Sequence, residues 1–365
     1  TRRSSDLLSP QQRAEKMKAA IEGVPDSPNP FASEDAAILS QENGKVRIEG
    51  WVDALVLQIR WNLALAHTDE VNAAKVLKPV AGHIPTETTV SYQPLGVVSI
   101  IVPFNWPIAI LGAALPHALL AGNTVIVKPP LTAPLATARV VQRIAEKLPP
   151  GVLNLLSGDG PGCGAPLCNH PVVGKISFTG SVPVGRIIAH AAADKLVPVT
   201  LELGGKSPMI VMADADMDKV IDGAITSMRF TRQGQSCTAA SRMLVQRPIV
   251  DEYVRRLKAR VDQLVMGDPL DEKTDIGTII SPQQFATVQR YVAIGEATPG
   301  ATAHRCSALP TDPRLKDGLY AQPVIFTGLG PDSQVVREEI FGPVTAIIPF
   351  DTYEEALAIA NGTEY

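Results

Sequence analysis

The chain has 365 residues, of which 45% are hydrophobic and 19% are charged, and its formal net charge is -4. This length suffices for a large buried core divided among two or three domains. The small negative charge offers no basic surface for nucleic acid or for an anionic membrane, so we expect neither as a partner. No apolar run reaches the roughly 18 to 20 residues that a membrane span needs, which predicts a soluble protein.

Cysteine usage favours a reducing compartment. Cys163, Cys168, Cys237 and Cys306 are too few and too dispersed for a disulfide framework in a chain of this length. We therefore expect a cytoplasmic protein. Cys163 and Cys168 are close in sequence, but no second Cys or His pair at ligand spacing accompanies them, so no metal is predicted.

The first quarter of the chain predicts helices followed by a short excursion. Residues 1–45 are interpreted as helical segments separated by a Pro-rich turn over 25–30. Apolar residues at helical spacing predict a long helix from Gly50 to about Leu77. Its packed face is predicted to contain Trp51, Leu55, Ile59, Leu63 and Ala66. The Thr-rich stretch over 80–93, bounded by prolines, predicts a hairpin-like segment.

From Leu95 onward, apolar strand patterns alternate with helical patterns. Strands are predicted over 95–102, 124–127, 152–156, 175–178 and 198–202, with helices over 108–121 and 132–147. This alternation predicts an α/β fold with a Rossmann-like parallel sheet and helices on both faces. A second α/β block begins at Ser207, with a strand over 209–212 and helices over 218–230, 251–265, 282–296 and 353–360.

Two glycine-flanked segments carry a carboxylate and a thiol. Glu202 opens the sequence Glu-Leu-Gly-Gly-Lys, and Cys237 closes the sequence Gly-Gln-Ser-Cys. An ionised thiol attacks a carbonyl carbon, and a carboxylate whose pKa is raised by burial can then take a proton from water. The neighbouring glycines allow close approach of the backbone and leave N–H groups free to stabilise an oxyanion.

These segments belong to an ordered set that resembles the aldehyde dehydrogenase superfamily from about Glu42 to Tyr365. The matching segments are Pro103–Pro107, Lys128-Pro129, Phe178–Ser181, Glu202–Lys206, Gly234–Cys237 and Glu338–Val344. The resemblance implies a helical N-terminal part of the cofactor domain over 1–76, an interface segment over 77–94, an NAD(P)-binding domain over 95–204 and a catalytic domain over 205–365. Because family members continue beyond the point matching Tyr365, we expect a fragment with an incomplete catalytic domain.

The resemblance assigns three catalytic roles. It implies that Cys237 is the nucleophile and that Glu202 is the general base that activates the deacylating water. The side-chain amide of Asn105 would donate to the oxyanion together with the backbone N–H of Cys237. Cys163, Cys168 and Cys306 match no catalytic segment and are interpreted as structural.

A cofactor site is predicted from a glycine cluster and from the resemblance. The ordinary G-x-G-x-x-G fingerprint would need glycine at Cys163, so the cluster alone is weak evidence. The family's wider spacing fits Gly158, Gly160 and Gly164. By resemblance, Ser181 donates to the pyrophosphate from a helix N-terminus, in a segment that also supplies Phe178 and Gly180.

Three further positions bear on cofactor choice. The resemblance places Lys128 on the adenosine ribose and Glu339, with Phe341 beside it, on the nicotinamide ribose. Leu131 stands where a ribose-binding Glu is common in the family. NAD is the predicted cofactor, and NADP is an alternative because, with Leu131 at this position, no carboxylate repels its 2′-phosphate.

The substrate is predicted only by class. By resemblance and helical spacing, Trp106, Ile110 and Ala113 line a tunnel, which favours an apolar aldehyde. Arg232 is a weaker candidate anchor for an acidic substrate. The acidic run from Asp214 to Asp218 lacks the Gly and Glu of a calcium loop and is interpreted as a helix cap.

The predicted function is oxidation of an aldehyde to a carboxylic acid with NAD(P)+. One alternative is transfer of the acyl group to coenzyme A, which the presence of Glu202 disfavours. Another is a catalytically silent structural relative, which Cys237, Glu202 and Asn105 disfavour. The family resemblance implies a homodimer or homotetramer.

Overall fold

A computed structural model describes residues 8–71, 73–78 and 87–365. The chain divides into two compact units. The first unit comprises Thr1–Asp35 and Trp51–Glu202, and the second comprises Ala36–Gly50 and Leu203–Tyr365. Within the described ranges, none of the helices combines the length and the hydropathy needed to span a bilayer.

The helices and strands alternate along most of the chain. The α-helices are α1 (Pro10–Ile21), α2 (Glu34–Asn43), α3 (Arg47–Ala66), α4 (Pro107–Leu120), α5 (Leu135–Glu146), α6 (Ala165–Asn169), α7 (Val182–Lys195), α8 (Met217–Met228), α9 (Val250–Val261), α10 (Pro282–Ala297), α11 (Gln334–Arg337) and α12 (Tyr353–Asn361). The strands are β1 (Lys75–Leu77), β2 (Thr88–Val90), β3 (Val97–Ile101), β4 (Thr124–Lys128), β5 (Leu153–Leu155), β6 (Val173–Thr179), β7 (Val199–Glu202), β8 (Pro208–Val211), β9 (Arg242–Gln246), β10 (Thr302–Arg305), β11 (Val324–Thr327) and β12 (Val344–Phe350).

The sheet of the first unit is parallel throughout, as predicted. Its strand order is β5-β4-β3-β6-β7. The central strand β3 is rich in Val and Ile and is almost fully buried, as expected for a strand covered on both faces. Helix α4 packs on this sheet with an apolar face that includes Ile108, Leu111 and Leu115. The parallel arrangement directs the carboxyl ends of all five strands to one edge.

The sheet of the second unit is mixed. Its order is β10-β11-β12-β9-β8, in which β10 is antiparallel to β11 and the other pairs are parallel. Two apolar clusters pack within this unit, one around Phe230 and Tyr253 and the other around Phe326 and Phe350. The sequence analysis predicted β8 and the long helices but did not identify β9 to β12.

Helix α3 differs from its prediction in length and in its buried face. It ends at Ala66, whereas Leu77 lies in strand β1. The buried apolar positions are Ala54, Leu57, Trp61 and Ala64, while Ile59 and Leu63 are 48% and 59% exposed. From Trp51 to Leu63 the predicted stripe advanced four residues at each step, so it drifts by roughly 40° per step around a helix of 3.6 residues per turn. The packed face instead alternates steps of three and four.

The predicted hairpin-like segment is partly described. β1 and β2 pair antiparallel, with Lys75 opposite Val90 and Leu77 opposite Thr88. Both strands are exposed along their length. Residues 79–86 of the predicted segment lie outside the described residues.

Candidate active site

The first unit carries a predicted site residue at or just beyond the carboxyl end of every strand in its sheet. Asn105 follows β3, Lys128 ends β4, Gly158 follows β5, Ser181 follows β6 and Glu202 ends β7. In open parallel sheets, ligands bind at this edge, because the loops there are free to meet them. The sheet topology therefore gathers residues that are up to 97 positions apart in the sequence.

Asn105 lies in a buried turn between β3 and α4. The first helical position of α4 is Pro107, which has no N–H, and the N-cap side chain makes no capping bond. The fully buried carboxylate of Asp53 on α3 instead accepts a hydrogen bond from the Ala109 N–H at 2.5 Å. Arg60 donates to the Ala109 carbonyl at 3.1 Å. These two contacts fix the start of α4. Sequence reasoning missed these contacts. Asp53 lies on the apolar face of the predicted helix, and a carboxylate there indicates a buried hydrogen-bond partner.

The glycine cluster after β5 forms one turn of π-helix over Gly160–Gly164, with Asp159 as its N-cap. The Asp159 carboxylate accepts a hydrogen bond from the Gly162 N–H at 2.6 Å. A Cβ atom at Gly158 would lie 2.6 Å from the Cβ of Cys163, whereas one at Gly160 would meet open space. The Lys128 stem lies within 3.7 Å of a Cβ built at Gly164. The glycines thus allow close packing at one position and an exposed backbone at the next.

Helix α7 begins directly after Ser181, another of the predicted cofactor residues. Ser181 is its N-cap and is exposed, and its hydroxyl does not cap the helix. Gly180 donates its N–H to the Glu202 carbonyl at 3.0 Å, and a side chain there would collide with the ring of Phe178. One and two turns further on, Val184 and Ile187 are exposed. Sequence reasoning missed this apolar pair, which the i, i+3 spacing near a helix N-terminus could have revealed.

A cavity of about 370 Å³ lies on one face of this sheet. Ile110, Ala113 and Glu202 line it, but Trp106 does not, so the structure brings together two of the three predicted substrate residues. The wall also has polar groups, since Lys175 donates to the Thr200 hydroxyl at 2.9 Å. Glu202 is exposed, in contrast to the burial that the sequence argument assumed for a general base.

His117 also lines this cavity. Burial lowers its pKa, and the charge of His67 lowers it further. A neutral imidazole is therefore favoured at neutral pH, which adds a hydrogen-bonding group to the wall without adding a charge.

Cys237 of the second unit follows a tight loop. Gln233 and Gly234 both have left-handed backbone conformations, with φ of 54° and 63°. A Cβ at Gly234 would lie 2.1 Å from the Gly342 carbonyl oxygen, and one at Gly205 would lie 2.6 Å from the Cys237 carbonyl oxygen. The two predicted catalytic segments of this unit are therefore in backbone contact, and only glycine fits at either position.

Glu339 lies directly against Gly204 and Gly205. Its Oε1 accepts a hydrogen bond from the Gly205 N–H at 3.1 Å, and a Cβ at Gly204 would lie only 2.1 Å from its Oε2. Burial raises the pKa of Glu339, while the Gly205 bond and the nearby Lys206 amine oppose that rise. The carboxylate is thus held in a defined position.

Phe341 is fixed in an unusual conformation. Its φ is 56°, a left-handed value that costs energy for a bulky residue. The Gln284 side-chain amide donates to the Ile340 carbonyl at 2.9 Å and to the Phe341 carbonyl at 3.0 Å. Sequence reasoning did not single out Gln284, because nothing in its local pattern distinguishes it from a surface glutamine.

Other predicted features have structural roles. Burial raises the pKa of the Cys168 thiol and raises that of Cys306 to about 12, which makes both thiols unreactive at neutral pH. Asp216 is the N-cap of α8, as predicted for the acidic run. Arg232 forms an ion pair with Glu49, and both side chains are 13% exposed. This pairing disfavours the alternative in which Arg232 anchors an acidic substrate.

Glu338, the neighbour of Glu339, is held by hydrogen bonds of its own. It is half-buried, and its carboxylate accepts hydrogen bonds from the Tyr291 hydroxyl and, at 3.0 Å, from Gln334. These bonds lower its pKa. Glu338 therefore anchors the segment that carries Glu339.

Comparison with known proteins matches residues 4–365 to the sequence profile of the aldehyde dehydrogenase family. The chain belongs to that family. This aldehyde dehydrogenase family member is 41% identical, over 287 residues, to the betaine aldehyde dehydrogenase of Rhizobium leguminosarum bv. trifolii (strain WSM2304). The match covers 78% of this chain and 58% of the relative, so it spans less than two thirds of that protein.

Solved structures of the family are similar to the described part of the chain. The aldehyde dehydrogenase of Bartonella henselae superposes with a TM-score of 0.89 at 32% identity, covering 99% of this chain and 74% of that one. The betaine aldehyde dehydrogenase of Staphylococcus aureus in complex with NAD+ gives a TM-score of 0.90 at 29% identity, covering 99% and 70%. These matches confirm the predicted α/β class and the resemblance on which the sequence analysis was based.

Proposed function

We propose that the protein oxidises an aldehyde to a carboxylic acid with NAD+ or NADP+ as the oxidant. The observation that carries this proposal is the placement of Cys237 after a left-handed turn, with its backbone carbonyl packed directly on Gly205. This arrangement fixes the backbone that presents a half-buried thiol, which helps to position a nucleophile.

The first step forms a bond between carbon and sulfur. The Cys237 thiolate adds to the carbonyl carbon of the aldehyde, and the carbonyl oxygen becomes an oxyanion. The Asn105 amide and the backbone N–H of Cys237 donate hydrogen bonds to that oxygen. Because the start of α4 is fixed by Asp53, the neighbouring Asn105 needs little reorganisation to reach the required geometry.

The residues that we expect to contact the cofactor are suited to binding a dinucleotide. The open backbone at Gly160 and the uncapped α7 N-terminus at Ser181 suit the pyrophosphate, and Lys128 suits a ribose. Val184 and Ile187 offer an exposed apolar surface for a flat ring. Glu339 and Phe341 would hold the nicotinamide ribose. When bound, the oxidised nicotinamide supplies the acceptor for the hydride that leaves the substrate carbon.

Loss of that hydride leaves a thioester on Cys237, which water must hydrolyse. Glu202 takes a proton from the attacking water, and the thiolate leaves as the carboxylic acid product forms. The exposure of Glu202 is compatible with this role, because the base must meet a water molecule. Ile110 and Ala113 favour an aldehyde with an apolar body, while Lys175 and His117 add polar contacts on the same wall.

We further propose a cytoplasmic location and a homodimer or homotetramer. The exposed β1–β2 pair supports the assembly, since Val76 and Leu77 on β1 and Val90 on β2 present apolar side chains on a short unprotected sheet.

The direct test follows NADH or NADPH formation with a panel of aldehydes. Cys237→Ala should abolish turnover, whereas Glu202→Gln should retain a single burst of reduced cofactor and lose the steady state, because hydrolysis of the thioester then fails. Cys306→Ala serves as the matched control, since that thiol is buried and unreactive. Turnover that survives Cys237→Ala, or formation of an acyl-CoA product, would overturn the proposal.

A further inference from the structure

Lys206 is a fully buried lysine with a backbone partner. It is 2% exposed, and its amine donates to the Val335 carbonyl at 2.8 Å. Val335 lies in the short helix α11, four residues before Glu339. A lysine at this depth is unusual, because burial of an ammonium group is costly unless the group performs a specific task.

The backbone of Lys206 is also held in place. Its carbonyl accepts a hydrogen bond from Arg242 Nε at 2.8 Å, and Arg242 is itself only 2% exposed. The preceding residue, Gly205, donates to the Glu339 carboxylate. The segment from Gly204 to Lys206 therefore contacts the Glu339 segment twice, once at the carboxylate and once at the backbone of α11.

The contact between Lys206 and Val335 is a hydrogen bond and not an ion pair. Lys206 bonds to a carbonyl oxygen rather than to the carboxylate of Glu338 or Glu339. Burial, assisted by the charge of Arg242, lowers the pKa of Lys206 to about 7. A neutral amine donates to a carbonyl as an ammonium does, so the bond persists in either state.

We propose that Lys206 is a positioning residue, whose bond to the Val335 carbonyl sets the position of the segment that presents Glu339 and Phe341 to the nicotinamide ribose. This inference rests on the proposed function. If the bond is removed, a buried carbonyl loses its partner, and the segment is free to shift away from Gly204 and Gly205.

The test compares Lys206→Met with Lys195→Met. Methionine matches the length of lysine and removes the donor. Lys195 is a fair control because its amine also donates to backbone carbonyls, those of His170 and Val173 at 3.0 and 3.2 Å, but it lies in the first unit. The measurements are amide hydrogen exchange of the nucleotide-free protein and the Kd for NAD+ by fluorescence titration.

For Lys206→Met we expect faster exchange over residues 335–343 and a Kd for NAD+ raised by about 10-fold, the factor that corresponds to one lost buried hydrogen bond. The aldehyde KM should change little. Lys195→Met should leave both measurements at wild-type values. Unchanged exchange over 335–343 and an unchanged Kd in folded Lys206→Met would overturn the proposal, as would a general loss of protection with no local increase.

Two further variants keep the test decisive. If Lys206→Met fails to fold, Lys206→Gln retains a shorter donor and should show the same changes to a smaller degree. Gly204→Ala should raise the Kd independently, since its Cβ would occupy the position of the Glu339 carboxylate, while Gly223→Ala is its control, with only the Met209 methyl at 3.9 Å. A wild-type protein that binds no NAD+ would overturn the proposed function alone, because the exchange experiment needs no nucleotide.

Discussion

The two units position their candidate site residues by different physical means. In the first unit, Asn105, Lys128, Ser181 and Glu202 lie where parallel strands end, so the order of the sheet places them. In the second unit, Cys237, Glu339 and Phe341 lie on loops between elements of a mixed sheet. Two polar side chains hold the segment that carries Glu339 and Phe341 by donating to its backbone carbonyls: these are Lys206 and Gln284. The buried Arg242 in turn donates to the Lys206 carbonyl.

This difference predicts which single substitutions will lower stability and which will lower activity. A strand-end residue depends on many backbone hydrogen bonds, none of which a point mutation removes. A loop held by a few side-chain hydrogen bonds loses a larger share of its support when one of them is removed. We therefore expect substitutions of the side chains that hold the loops of the second unit to lower stability most, and substitution of Asn105 in the first unit to lower activity with little change in stability.

The largest expected effect is that of Arg242→Met. The Arg242 guanidinium donates to the carbonyls of Lys206, Ile359 and Ala360 at 2.8 to 2.9 Å, so its removal takes a donor from one buried and two half-buried carbonyls. We expect the free energy of unfolding to fall by about 3 kcal/mol in urea denaturation. The control is Arg247→Met, whose pair with Asp351 is exposed and should matter far less. An equal fall in the free energy of unfolding in the two variants would show that the buried Arg242 contributes no more to stability than the exposed Arg247.

Asn105→Ala tests the first unit. Loss of one oxyanion donor should lower kcat by about 100-fold or more, while the melting temperature stays close to that of the wild type. Asn154→Ala removes another amide from the same sheet, one that donates to the Gly151 carbonyl at its edge, and should leave kcat unchanged. A large loss of stability in Asn105→Ala would show that the Asn105 side chain stabilises the turn between β3 and α4, so that its role is structural as well as catalytic.

A pH series tests the burial of Lys206. Its pKa is about 7 in the folded protein and 10.5 in a model peptide, so between these values the unfolded chain binds more protons. Stability contributed at this position therefore rises with pH above 7, by at most about 1.4 kcal/mol per pH unit. The difference in unfolding free energy between wild type and Lys206→Met should increase from pH 6 to pH 9. A flat difference would mean that the amine is not buried as described.

The smallest expected effect concerns cofactor choice. Leu131 is exposed close to the end of β4, which carries Lys128. Leu131→Glu would place a carboxylate where it can accept from ribose hydroxyls and repel a 2′-phosphate. We expect the KM for NADP+ to rise by about 10-fold and the KM for NAD+ to stay the same or fall. A parallel rise for both cofactors would place this position outside the ribose site.

Much of the first unit could be predicted from the sequence, because its signals are local. Apolar strand patterns between turn residues located β3 to β7, and helical periodicity located α4 and α5. The second unit was harder to predict. β9 to β12 lie in a mixed sheet whose order departs from the chain order, so local pattern gave little indication of their partners.

The sequence by itself determined the family, the α/β class and the identity of the candidate catalytic residues, because these depend on residue types in a fixed order. Only the tertiary structure decided which face of α3 is buried and that Glu202 is exposed. It also decided that Lys206 and Gln284 hold the segment around Glu339 and that Arg242 holds the backbone of Lys206. The physical reason is that these contacts join positions tens of residues apart. No local pattern encodes which buried carbonyl a side chain will reach.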